Sequence, residues 1–105
     1  MSTVVIRRVH MLSQQQVRLA ANAVAAELEE EYGVRGRWEG KELRFEHASL
    51  RGTLRLGERE IVIEIIFGWL LVAFQEQIVA VVEARLDEVL ATGPGGSRGA
   101  KGESR

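Results

Sequence analysis

The sequence predicts an α+β fold: a two-layer sandwich in which an antiparallel sheet of about five strands carries two helices on one face, in the order β-α-β-β-β-β-α. Three observations predict it. Apolar residues recur at helical spacing in two windows, from Val17 to Tyr32 and from Leu71 to Val89. Between them, from Val34 to Phe67, the period is two and only one side of the alternation is apolar, the pattern of strands with one buried and one solvated face. The runs are joined by short links such as Glu39-Gly40-Lys41 and Gly57-Glu58-Arg59-Glu60, which favour hairpins and so antiparallel pairing. With a single apolar sheet face to cover, both helices belong on the same side.

The first strand is the β-branched run Val4-Val5-Ile6-Arg7-Arg8-Val9. In Leu12-Ser13-Gln14-Gln15-Gln16-Val17, Ser13 can cap the amide of Gln16 while Gln16 reaches back, and Leu12 can staple onto Val17, so the first helix begins at Gln14. Val17, Ala21, Val24, Leu28 and Tyr32 form its buried stripe. Leu19, Ala23 and Ala26 lie on another side, which is expected to receive a neighbouring helix, and Gly33 ends the helix in the left-handed conformation. Glu29-Glu30-Glu31 opposes the helix dipole, with Arg35 and Arg37 close by to compensate.

In the alternating region Trp38 faces away from Arg37 and Glu39, and Leu43, Phe45 and His47 alternate with Arg44 and Glu46. Leu50, Gly52, Leu54 and Leu56, then Ile61, Ile63, Ile65 and Phe67, continue the inward set. The outward set opposes Arg37, Arg44, Arg51 and Arg55 to Glu39, Glu46 and Glu64, which suits cross-strand ion pairs.

The segment EIIFGWLLVAFQ, Glu64 to Gln75, holds ten uncharged and almost wholly apolar residues between its two ends, half of the roughly 20 that a membrane-spanning helix needs. Gly68 divides it into a strand end and a helix start. From Leu71, the residues Phe74, Ile78, Val81, Val82, Leu86 and Val89 follow at helical spacing, which makes Leu71 and Phe74 core residues. The helix closes before Gly93-Pro94-Gly95-Gly96. Residues 1–91 therefore read as one domain, and 92–105, with no large apolar group, as a disordered tail.

Composition narrows the function. The chain has 105 residues, 46% of them hydrophobic and 28% charged, with a net charge of −1, so it has no general attraction to nucleic acid. The sheet arginines also lack the exposed aromatics that RNA-binding sheets use. The absence of cysteine removes disulfides, thiol nucleophiles and zinc-thiolate sites, and the start of the chain lacks a signal-peptide pattern, so a cytoplasmic location is expected. His10 and His47 are the only histidines and suggest no metal site. Each suits a ring bonded to backbone, with a general-base role as the functional alternative. Glu76, Glu83 and Asp87 share the outer side of the last helix and read as a solvated stripe. No catalytic constellation emerges, and no cofactor is called for.

Two features remain as candidate sites. Arg85 projects onto the apolar side of the last helix, where it can snorkel to water or to a strand carboxylate such as Glu64, or serve, with His47, as part of an anion or acyl-ligand pocket between sheet and helix. Trp69 and Val72 project from the first turn of that helix on the side away from Phe74, and are the best candidates for contact with a partner.

The order His10-x-Leu12, Tyr32-Gly33, Trp38-Glu39-Gly40, Leu43-x-Phe45, Gly52-x-Leu54, and Gly68-Trp69-Leu70-Leu71 followed by Ile78 and Leu86 resembles the polyhydroxyalkanoic acid system family, small bacterial proteins associated with polyester-granule genes. The likeness runs from about Val4 to Ala91. Trp69 stands where another large apolar residue, often Phe, is expected. The family brings no catalytic residues with it. The resemblance implies a non-enzymatic accessory role in polyester storage, at the granule surface or on a granule protein, or in regulation. A small acyl or hydroxyacyl ligand module, and a homodimeric scaffold joined through the apolar start of the last helix, are the alternatives.

Overall fold

The computed structural model describes residues 2–91; the expected disordered tail, 92–105, lies outside the described residues. The elements are β1 (Ser2–Val9), α1 (Gln14–Tyr32), β2 (Arg35–Glu39), β3 (Glu42–His47), β4 (Leu50–Leu56), β5 (Glu60–Phe67) and α2 (Gln75–Ala91), with a short 3-10 turn at Val72–Phe74. The five strands form one sheet in the order β1-β5-β4-β3-β2, every neighbour antiparallel. The expected α+β order is the one observed. β1 and β2 are the two edges, so α1 carries the chain across the full width of the sheet.

α1 begins where its capping box closes. The Ser13 hydroxyl accepts from the Gln16 amide (3.2 Å), and the Gln16 side chain accepts from the Ser13 amide (3.0 Å), so two of the helix's orphan donors are satisfied. It ends at Gly33, whose φ of 71° is open to glycine at little cost and whose amide donates to Glu29 O at 2.9 Å.

Val17, Ala20, Ala21, Val24 and Leu28 of α1 are buried, as are Ile78, Val82 and Leu86 of α2, each four residues apart. They share one core with Ile6, Leu43, Phe45, Leu54, Ile61, Ile63, Ile65 and Phe67 of the sheet. Both helices thus cover the same face.

Two local expectations are corrected. Leu19 is 64% exposed and Ala26 is exposed, so no helix covers these two; only Ala23 of the three is half-buried. Two helices lying side by side on one sheet meet along their flanks, which leaves the side away from the sheet in water. Phe74 is 46% exposed rather than in the core, and α2 begins at Gln75. The Phe74 amide donates to Leu71 O at 2.9 Å. This tighter i→i+3 turn takes Phe74 out of phase with the stripe formed by Ile78, Val82 and Leu86.

Candidate functional site: an exposed apolar apron

The segment between β5 and α2 is held by one buried hydroxyl. Ser49, in the β3–β4 turn, is 6% exposed. Its carbonyl accepts from the Gly68 amide (2.8 Å), and its Oγ accepts from the amides of Leu70 (2.9 Å) and Leu71 (3.3 Å). The Ser49 amide donates to His47 Nδ1 at 3.0 Å, which places the proton of a neutral His47 ring on Nε2. Glycine is required at Gly68 because a Cβ there would lie 2.7 Å from Ser49 Oγ. The Val72 amide then donates to Gly68 O at 3.0 Å, so the backbone is bonded from the strand end into the 3-10 turn.

On this fixed backbone the side chains face water. Trp69 is 83% exposed, Leu70 49%, Val72 39% and Phe74 46%, while Leu71 turns inward against the core. Four large apolar groups thus stand out within six residues of chain. Trp69 and Val72 are exposed here, as a contact surface requires, although they precede α2 instead of lying on its first turn. Leu70 and Phe74 join them. Sequence reasoning missed these two because helical phase was extended one turn too far. It missed Ser49 because a serine in a tight turn carries no local sign of what it caps some twenty positions later.

The two candidate ligand residues lie in separate hollows. His47, half-buried at the end of β3, borders a broad open hollow on the helix-free sheet face with Arg44, Arg51, Thr53 and Glu64. Arg85 lines a shallow hollow between the helices, with Glu27, Val81, Ala84 and Glu88. Its Nη1 lies 2.7 Å from Glu88 and its Nε 3.9 Å from Glu27 of α1. Glu64, on the opposite face of the sheet, takes no part in holding it, which corrects that expected partner. Two carboxylates beside the guanidinium already supply negative charge and oppose the approach of an anion.

The outer stripe of α2 is also less free than expected. Arg8 reaches from β1 to Asp87 (2.8 Å) and Glu83 (3.1 Å). The hydrogen bond to Asp87, opposed by partial desolvation and aided by Glu83, raises the Arg8 pKa above its ordinary value. On the sheet's outer face Glu39 and Glu42 collect Arg37, Arg44 and Arg55, with Arg44 to Glu39 the closest at 2.9 Å. Glu46 and Glu64, expected to pair there, form no ion pair among the described residues. His10 is buried at 4%. Its Nδ1 accepts from the Leu12 amide (3.1 Å) and its Nε2 lies 3.3 Å from Gly57 O, so it pins the β1–α1 connection to the β4–β5 turn.

Among the described residues no helix is long and apolar enough to cross a membrane. Fold and site together define a small α+β domain that exposes four large apolar side chains at the junction of β5 and α2. The chain belongs to the family described as "Putative polyhydroxyalkanoic acid system protein", whose model matches residues 4–90. Neither the curated proteins nor the solved structures contain a match.

Proposed function

We propose that this protein is a non-enzymatic accessory of polyhydroxyalkanoate storage that seats on the polyester granule in the cytoplasm through Trp69, Leu70, Val72 and Phe74. The observation that carries the reading is the exposure of these four side chains on a backbone fixed by Ser49. A polyester surface offers apolar methylene and methyl groups with ester carbonyls between them. It suits an apron of aromatic and aliphatic groups whose one polar tip, the Trp69 indole N–H, can donate to a carbonyl.

Burying a large apolar side chain completely is worth about 1.5–3 kcal/mol. Four partly exposed ones contribute on the order of 3–6 kcal/mol before the cost of association. Because the segment is ordered before contact, little further conformational entropy is lost.

The test is co-sedimentation of the purified protein with polyester granules. The wild type is expected in the pellet, and Trp69→Ser combined with Val72→Ser is expected to weaken retention at least tenfold. Both side chains are exposed, so thermal stability should be nearly unchanged. Equal sedimentation of wild type and double variant would remove the apron as the contact surface.

A further inference from the structure

β1 is an edge strand whose outer side is paired with no other strand among the described residues. Its register with β5 runs unbroken from Ser2↔Phe67 to Val9↔Glu60, and its sequence STVVIRRV contains no proline, glycine or lysine to blunt the edge. The direction of its hydrogen bonds can be read at its C-terminal end. The His10 amide donates to Arg59 O at 2.9 Å, continuing the β5 ladder through the even-numbered residues. The Arg7 carbonyl points the other way and accepts from its neighbour's guanidinium, Arg8 Nη1, at 2.9 Å, a local bond that the Thr3 amide of an added strand has to replace. Thr3, Val5, Arg7 and Val9 therefore direct their amides and carbonyls outward.

The other edge is guarded. β2 has five residues, and its hairpin is strapped to α1. Trp38 Nε1 donates to Asn22 (2.8 Å), Arg18 stacks 3.9 Å above the Trp38 ring, and Arg18 Nη1 donates to Gly40 O.

We propose that β1 pairs with β1 of a second copy of this chain, antiparallel about a twofold axis at Val5. The sequence is self-complementary in this register. Opposed residues must share a sheet face, and centring on Val5 sets Val5 against the partner's Val5, Thr3 against the partner's Arg7 and Val4 against the partner's Ile6. Ser2 meets the partner's Arg8. Centring on Arg7 would oppose two like charges, and centring on Ile6 would set both arginines against valines. Val5 is 49% exposed on the helix-free face, so the centre of the pair is an apolar contact between two uncovered valines.

On the helix side, Val4, Val79 and Ala80 line a hollow between β1 and α2 that also contains Glu76. Glu76 forms no ion pair among the described residues. Arg8 of each copy stays bonded to Asp87 and Glu83 of its own chain, so the contact rests on the strand pairing itself. The interface thus joins two sheets into one. It does not involve the apron, and the granule reading stands or falls separately.

The chain contains no cysteine, which makes single-cysteine cross-linking specific. Directly opposed residues of a hydrogen-bonded antiparallel pair have Cα atoms about 5.5 Å apart, within disulfide reach. Under copper–phenanthroline oxidation, Val5→Cys is expected to form a disulfide-linked dimer. Val9→Cys, more exposed at 76% but without a self-opposed partner, is expected to remain monomeric. In sedimentation equilibrium the wild type should be dimeric at micromolar concentration, and Val5→Lys should raise the dissociation constant at least tenfold without lowering the melting temperature measured on dilute monomer. Three results would each overturn the proposal: a wild type that is monomeric at micromolar concentration, cross-linking of Val9→Cys as efficient as that of Val5→Cys, or cross-linking through Trp69→Cys in place of Val5→Cys.

Discussion

The Ser49 hydroxyl accepts two amide protons from the segment that carries the apron, so Ser49→Ala leaves two part-buried donors without their acceptor. The expected cost is about 1–3 kcal/mol, measurable by urea denaturation. Gly68→Ala would bring a methyl to 2.7 Å from the same hydroxyl and should cost a similar amount, about 1–3 kcal/mol, through overpacking. Because both changes act on one contact, the double variant should be less destabilised than the sum of the two, since removing Oγ removes the clash. Strict additivity would show that the two residues do not share this contact. His10 belongs to the same class of buried pin. His10→Ala removes the acceptor of the Leu12 amide and should destabilise by about 1–3 kcal/mol, with no effect on granule retention once the protein is folded.

Between elements, polar straps decide how the helices sit over the sheet. Arg8 joins β1 to α2 through Asp87 and Glu83. All three side chains are partly exposed, so Arg8→Met should cost about 1 kcal/mol or less, and the difference from wild type should shrink in high salt. An undiminished difference at high salt would assign the loss to packing of the arginine stem rather than to charge. Element identity was legible in the sequence wherever a period ran long enough. The Val17-to-Leu28 stripe, the capping box at Ser13 and the inward set from Leu43 to Phe67 all occur as read. The straps were not legible, because Arg8 and Asp87 are joined only by the topology that places β1 beside β5 and under α2. The same holds for Trp38, whose place in a Trp-Glu-Gly turn gives no hint of Asn22 and Arg18 across the fold. The Phe74 error has a different origin: α-helical phase was carried into residues that form a 3-10 turn.

At the scale of the whole molecule, the sheet has one covered face, one open charged face, a guarded edge and an open one, with the apron at the junction of β5 and α2. The candidate site was legible in part. Trp69 and Val72 stood out as apolar groups that no stripe required, whereas Leu70 and Phe74 emerged only when the turn geometry was known. The chain has two tryptophans, and they occupy unlike places: Trp38 is half-buried against Arg18 and Asn22, and Trp69 is open to water. Trp38→Phe therefore makes Trp69 the sole reporter on the apron. The most direct measurement is the emission of this variant, with acrylamide quenching, on titration with polyester granules. Seating through the apron predicts a blue shift and a fall in quenching that saturate with granule surface. Unchanged emission and quenching on granules that nevertheless retain the protein would contradict it.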